Sequence, residues 1–187
     1  MSDGTSRPPP DEASLREAAL HYLARYATTE SGLRFVLHRR IDRWARLARD
    51  RDDVRERAAA AKTFVPAIVA RMAALGLVND AAYAESRVRG LSLGGKSRRA
   101  IEARLAAKGV DPEQVRAAFP EDANAELISA LILTRKRRIG PFRKTEEADR
   151  NKELATLARA GFTRDVASRA LSMTPEDAEE AIIAARQ

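Results

Sequence analysis

Residues 78–119 read VNDAAYAESRVRGLSLGGKSRRAIEARLAAKGVDPEQVRAAF. The spacing predicts three short helices in succession. Asn79 or Asp80 caps the first, with Ala84, Val88 and Leu91 on one face, and Gly94-Gly95 breaks it. Ser97 starts the second, which carries Ile101 and Leu105 inward and closes at Gly109. Asp111-Pro112-Glu113-Gln114 then supplies a cap, a proline at the first helical position and a capping-box glutamine. Val115, Ala118 and Phe119 give the third helix its inner face.

Weaker copies flank this unit. On the C-terminal side, Leu157 stands in for Leu105, Gly161 for Gly109, and Ala167, Ala170 and Leu171 for Val115, Ala118 and Phe119, all at one offset. Leu127, Ile128, Leu131 and Ile132 line that copy's first helix, which Gly140-Pro141 stops. On the N-terminal side, Thr29, Leu33, Leu37 and Ile41 match Ser97, Ile101, Leu105 and Gly109. Leu15, Ala19, Tyr22 and Tyr26 predict the helix before it, and Val65, Ile68, Val69, Met72 and Leu75 the helix that ends at Gly76. Thr174-Pro175-Glu176-Asp177 caps a last helix that would cover the open end of a stack. The expectation is an all-α, elongated array of three tandem three-helix repeats plus a C-terminal capping helix. Its parts are a disordered tail (1–13), repeat 1 with a charged insertion near 42–63 (14–78), repeat 2 (79–120), repeat 3 (121–173) and the capping helix (174–187).

Composition agrees. The chain has 187 residues, 33% of them charged and 5% aromatic, so its cores must be small and aliphatic. A formal net charge of +7 favours nucleic acid, or protein bound to it, through long-range attraction. Cysteine is absent, which excludes a disulfide framework, a thiol nucleophile and cysteine metal sites. The start, MSDGTSRPPPDE, lacks a signal peptide's apolar segment, and no run of about 18 apolar residues spans a bilayer. A cytoplasmic protein is expected.

Catalytic motifs find little support. Gly90–Ser97, GLSLGGKS, satisfies the phosphate-loop pattern G-x-x-x-x-G-K-[ST]. Such a loop works because a buried strand feeds it, whereas YAESRVRG before it has helical spacing. A glycine turn with Ser97 as cap accounts for the match. His21 and His38 fall on different predicted helices without metal-ligand spacing. Glu146, Glu147, Asp149 and Glu153 read as the acidic start of a helix. No enzyme activity, cofactor or metal is expected.

Basic clusters are the candidate binding residues. Arg87, Arg89, Lys96, Arg98 and Arg99 surround the middle glycine turn, and Arg104 and Lys108 stand four apart on the next predicted helix. Arg135, Lys136, Arg137, Arg138, Arg143 and Lys144 form a run with no acid inside it. In a stacked array, equivalent flanks align, so scattered charges become a stripe suited to a polyanion or a protein filament.

The segments NDAAYAESRVRG, GGKSRRAIEARLAAKGV, RKRRIGPFR and LARAGF resemble the RecX family of bacterial regulators of the RecA recombinase. The likeness runs from about Ala18 to Leu171. It implies a curved molecule of tandem three-helix repeats, acting in homologous recombination, DNA repair and the SOS response. It also implies binding in the groove of the RecA–DNA filament, with inhibition of filament growth, ATP hydrolysis and strand exchange. A monomer with weak direct affinity for DNA is expected. Tyr83, Ala84, Ile101, Leu105 and Gly109 match as scaffold residues. The stretch from Asp42 to Thr63 exceeds the usual first-repeat connection, and Glu153 replaces the apolar residue expected opposite Ile101. A stand-alone DNA-binding protein of helix-turn-helix type is the alternative reading.

Overall fold

The computed structural model describes residues 8–48, 53–122, 124–144 and 149–185. Among these residues lie eleven α-helices, one short 3-10 turn and no strand. They group into two compact units, Met1–Tyr83 with Lys108–Val110, and Ala84–Ala107 with Asp111–Gln187.

The first unit contains α1 (Glu12–Leu23), α2 (Glu30–Leu47), α3 (Val54–Thr63) and α4 (Val65–Ala74). Helix α1 begins two residues inside the stretch expected as tail, because Asp11 and Ser14 cap each other reciprocally. Residues 1–7 of that tail lie outside the described residues. Leu15 and Ala19 from α1 meet Leu33, Leu37, Ile41 and Trp44 from α2 and Val65, Ile68, Val69 and Met72 from α4 in one core. Removing a large aliphatic side chain from water contributes roughly 1.5–3 kcal/mol, so this short list holds the unit together. Tyr26 and Leu75, read as continuing the apolar stripes, lie beyond the ends of their helices and are exposed.

The charged insertion is largely helical. Asp42–Leu47 completes α2, and Val54, Ala58 and Ala61, spaced at i, i+4 and i+7, turn one face of α3 into the core. Residues 49–52 of that insertion lie outside the described residues. Pro66 sits in the first turn of α4, where its missing N–H costs nothing, and Gly76 follows with φ +70°.

The second unit contains most of α5 (Asp80–Ser92), α6 (Arg98–Ala106), α7 (Pro112–Ala117), α8 (Ala125–Arg137), a 3-10 turn (Gly140–Phe142), α9 (Arg150–Arg159), α10 (Arg164–Ser172) and α11 (Pro175–Ala184). Ala84, Val88, Ile101, Leu105 and Val115 are buried, as their spacing predicts. Leu127, Leu131, Ile132, Leu157, Phe162, Ala167, Ala170 and Leu171 form a core that Ala178 and Ile182 of α11 complete. Thr174 caps α11 by accepting from the Asp177 N–H at 3.1 Å.

One joint recurs. In the first unit, the Thr29 hydroxyl caps α2 through the Gly32 N–H at 2.9 Å and donates to the Lys108 carbonyl at 2.7 Å. In the second, the Ser97 hydroxyl caps α6 through the Ala100 N–H at 3.3 Å and donates to the Ala160 carbonyl at 2.7 Å. A glycine with positive φ follows each accepting carbonyl: Gly109 at +74° and Gly161 at +94°. A Cβ on Gly109 would lie 2.5 Å from the Ser31 Cβ, and one on Gly161 would lie 2.6 Å from the Ser97 Oγ. The repeat visible in the sequence is thus carried by a hydroxyl, a carbonyl and a missing side chain.

Candidate partner-binding surface

The glycine turn after α5 is a packing element. Gly95 is buried with φ +77°, and a Cβ there would lie 3.0 Å from the Leu133 backbone nitrogen of α8. Close approach of two backbones is what requires glycine here. Ser97, the last residue of the phosphate-loop pattern, is fully buried and spends its hydroxyl on the joint just described. Helix α5, not a strand, leads into the turn. The pattern therefore lacks the context that makes it a nucleotide site.

The basic residues divide by what they touch. Arg135 pairs with Glu179 of α11 at 2.7 Å. Lys136 donates to the Gly94 carbonyl at 2.7 Å, which brings the end of α8 against the turn that carries Lys96. Arg143 donates to the Gly140 carbonyl at 3.0 Å and pairs with Glu153 at 2.9 Å. These three are braces within the fold. Arg137, Arg138 and Lys144 are exposed and make no ion pair among the described residues. Arg138 also ends α8 in the left-handed region, φ 55°, where glycine is the usual occupant.

Glu153 departs from the apolar pattern for a local reason. Its carboxylate is buried, accepts from the Gly140 N–H at 3.1 Å, and meets the Arg143 guanidinium. The turn after α8 is tied to α9 by a charge-assisted pair where the middle copy uses Ile101. Glu146 and Glu147 lie outside the described residues, while Asp149 caps α9 through the Asn151 and Lys152 N–H groups.

Around α5 and α6, Arg87, Arg89, Lys96, Arg98, Arg99 and Arg104 are all exposed. Arg98 pairs with Glu102 at 3.0 Å and lies over the Phe119 ring, 4.5 Å from its centroid. Arg99 joins Arg98, Glu102, Glu126, Phe162 and Thr163 around an open groove of about 310 Å³. Two glutamates there balance the two arginines, so the groove is no anion pocket. Lys108 lies past the Ala107 cap of α6 and belongs to the first unit, so it does not share a helical flank with Arg104. Sequence reading passed over Arg39, Arg40, Arg43 and Arg46 of α2, because that helix was read through its apolar stripe. Four arginines within eight residues were the available signal.

Among the described residues, no group of three or more histidine, aspartate or glutamate side chains could hold a metal ion. No helix among them is long and apolar enough to cross a membrane. What the exposed guanidinium groups can do is bind phosphate or carboxylate, bidentately where geometry allows.

Residues 79–118 match the family model described as RecX, second three-helix domain. The regulatory protein RecX of Myxococcus xanthus is 42% identical over 168 residues, 86% of either chain. The chain belongs to the RecX family. The regulatory protein RecX of Agrobacterium fabrum is 39% identical over 55% of this chain, and that of Mycobacterium leprae 32% identical over 86%. The crystal structure of RecX from Lactobacillus salivarius superposes with a TM-score of 0.62, covering 86% of this chain and 94% of that one at 22% identity. That likeness bears on the fold, an all-helical RecX arrangement. The RecX relatives carry the name of a regulatory protein and not of an enzyme.

Proposed function

We infer that this chain binds the RecA–DNA filament and restrains filament growth, ATP hydrolysis and strand exchange. The observation that carries the reading is the match, over most of both chains, to regulatory protein RecX. Support also comes from the exposed arginines and lysines of the second unit that make no ion pair among the described residues: Arg89, Lys96, Arg99, Arg104, Arg137, Arg138 and Lys144. A binding protein that acts by occupancy needs such side chains and no catalytic constellation. Steric obstruction of incoming DNA and altered subunit contacts would follow from occupying the filament groove. The protein is read as cytoplasmic, monomeric and without cofactor. Three three-helix repeats, the first enlarged by α3, are the division of the chain that goes with this reading.

The test is RecA-dependent ATP hydrolysis on single-stranded DNA, titrated with this protein. Hydrolysis should fall with dose, and reversing Arg99, Arg137 and Arg138 to glutamate should restore most of it. An unchanged rate at saturating protein would reject the reading. A sequence preference on bare duplex, with no effect on RecA, would favour the stand-alone DNA-binding alternative.

A further inference from the structure

Helix α2 carries a second face that the fold does not use. Leu33, Leu37, Ile41, Trp44 and Ala48 turn into the core of the first unit. At 3.6 residues per turn, Phe35, Arg39 and Arg46 fall on the opposite side, with Arg43 and Arg40 toward one flank. Phe35 is 65% exposed, and Leu47 near the end of the helix 80%. Arg39, Arg40, Arg43 and Arg46 are exposed, with no ion pair or hydrogen bond among the described residues. Among the described residues, the acids nearby already have partners. Glu30 pairs with Arg34 at 2.8 Å, and Asp42, the one acid between residues 31 and 48, pairs with Lys62 of α3 at 2.7 Å. Among the described residues the four guanidinium groups stand outside any ion pair, although Arg46 lies close enough to Asp42 to help lower its pKa.

Their spacing suits a repeating anion. Phe35, Arg39 and Arg43 succeed one another by about 6 Å along the axis, and Arg46 follows about 4.5 Å later. A file of positive charges headed by an exposed phenyl ring matches a strand that alternates phosphates with flat apolar rings. Single-stranded nucleic acid has that chemistry, its bases open to stacking. A membrane surface does not fit, because the apolar face of α2 is spent in the core. An acidic protein surface would satisfy the arginines but gives no particular use for a lone exposed ring.

We propose that the outer face of α2, Phe35 with Arg39, Arg43 and Arg46, is a binding site for single-stranded DNA. The arginines hold successive phosphates, and Phe35 stacks on a base. Binding there does not depend on the recombinase.

The test uses the full chain and fluorescently labelled oligo-dT, without RecA, by anisotropy across a salt series. The dependence of log affinity on log salt should flatten by about 2 in Arg39→Ala/Arg43→Ala/Arg46→Ala, since each single-strand phosphate contact contributes about 0.7. Phe35→Ala should weaken oligo-dT binding by roughly 5- to 150-fold, the range of one lost stacking contact. On an abasic oligonucleotide with the same number of phosphates, Phe35→Ala should change nothing. All four side chains are exposed, so circular dichroism of each variant should overlay the parent. An unaltered salt slope in the triple variant would overturn the assignment, as would an equal Phe35→Ala loss on both strands. A triple variant that keeps DNA binding but loses an acidic polypeptide probe such as polyglutamate would also overturn it, giving the face to a protein partner.

Discussion

Substituting Gly161→Ala should destabilise the second unit by more than backbone strain alone allows, and Ser97 should be the reason. Gly161 has φ +94°, which costs an alanine about 1–2 kcal/mol. Its new Cβ would stand 2.6 Å from the Ser97 Oγ. That hydroxyl has no cheap escape. It is buried, donates to the Ala160 carbonyl at 2.7 Å and caps α6 through the Ala100 N–H at 3.3 Å. Moving it forfeits about 1 kcal/mol for each hydrogen bond, so Gly161→Ala should cost about 3 kcal/mol in all. Ser97→Ala by itself should cost about 2 kcal/mol, from the lost cap and the unsatisfied carbonyl. The double variant should cost about 3.5 kcal/mol, not 5, because the Oγ that the new methyl would strike is gone. Urea unfolding followed by circular dichroism gives all three values. Costs that add within about 0.5 kcal/mol would refute the joint as the source of both effects.

Other outcomes follow from the same contacts. Arg143→Met should cost about 2 kcal/mol by stranding the buried Glu153 carboxylate, a value reduced because Arg143 is itself a third exposed. Adding Glu153→Ile, the residue type of Ile101 in the middle copy, should recover only part of that loss in the same urea assay, because the buried Gly140 N–H then loses its acceptor. Arg137→Gln with Arg138→Gln, which removes the charges without setting acids at the C-terminal end of α8, should relieve inhibition of RecA hydrolysis with little change in melting temperature, whereas Arg135→Glu should lower the melting temperature through its Glu179 contact. The hydrogen bond from Lys62 holds the Asp42 carboxyl below the usual aspartate range. A depressed folded-state value adds stability above the unfolded-state value, and that stability is lost as pH falls through the folded one. Solvent screening of this half-exposed pair keeps the effect under about 1 kcal/mol, and Lys62→Met should remove it from an acid-unfolding curve.

The helices were legible because their signals are local. Ser97, Asp111 and Thr174 cap where a hydroxyl or carboxylate precedes an apolar stripe, and Gly76, Gly109 and Gly161 take positive φ at helix ends. The second role of Thr29 and Ser97, bonding a carbonyl far along the chain, has no sequence signature beyond the matched positions of the copies. Helix α3 was hidden because its core face is built from alanines and one valine amid charge, a weak apolar period. Glu153 looked like a defect because its partners, Arg143 and the Gly140 N–H, come together only through the turn after α8. The basic run from Arg135 to Lys144 read as one cluster, yet internal bonds claim Arg135, Lys136 and Arg143. Which cation braces the fold and which faces solvent depends on acceptors such as Glu179 and the Gly94 carbonyl, remote in sequence.

Co-sedimentation tests the regulatory reading most directly. The chain is mixed with RecA assembled on single-stranded DNA in a non-hydrolysed nucleotide, with RecA alone, or with DNA alone, and spun at moderate salt. Filament binding predicts that the chain pellets in a fixed ratio to assembled RecA, with far less carried down in either control. A chain that stays in the supernatant with assembled filaments, at concentrations saturating for any bare DNA binding, would contradict it.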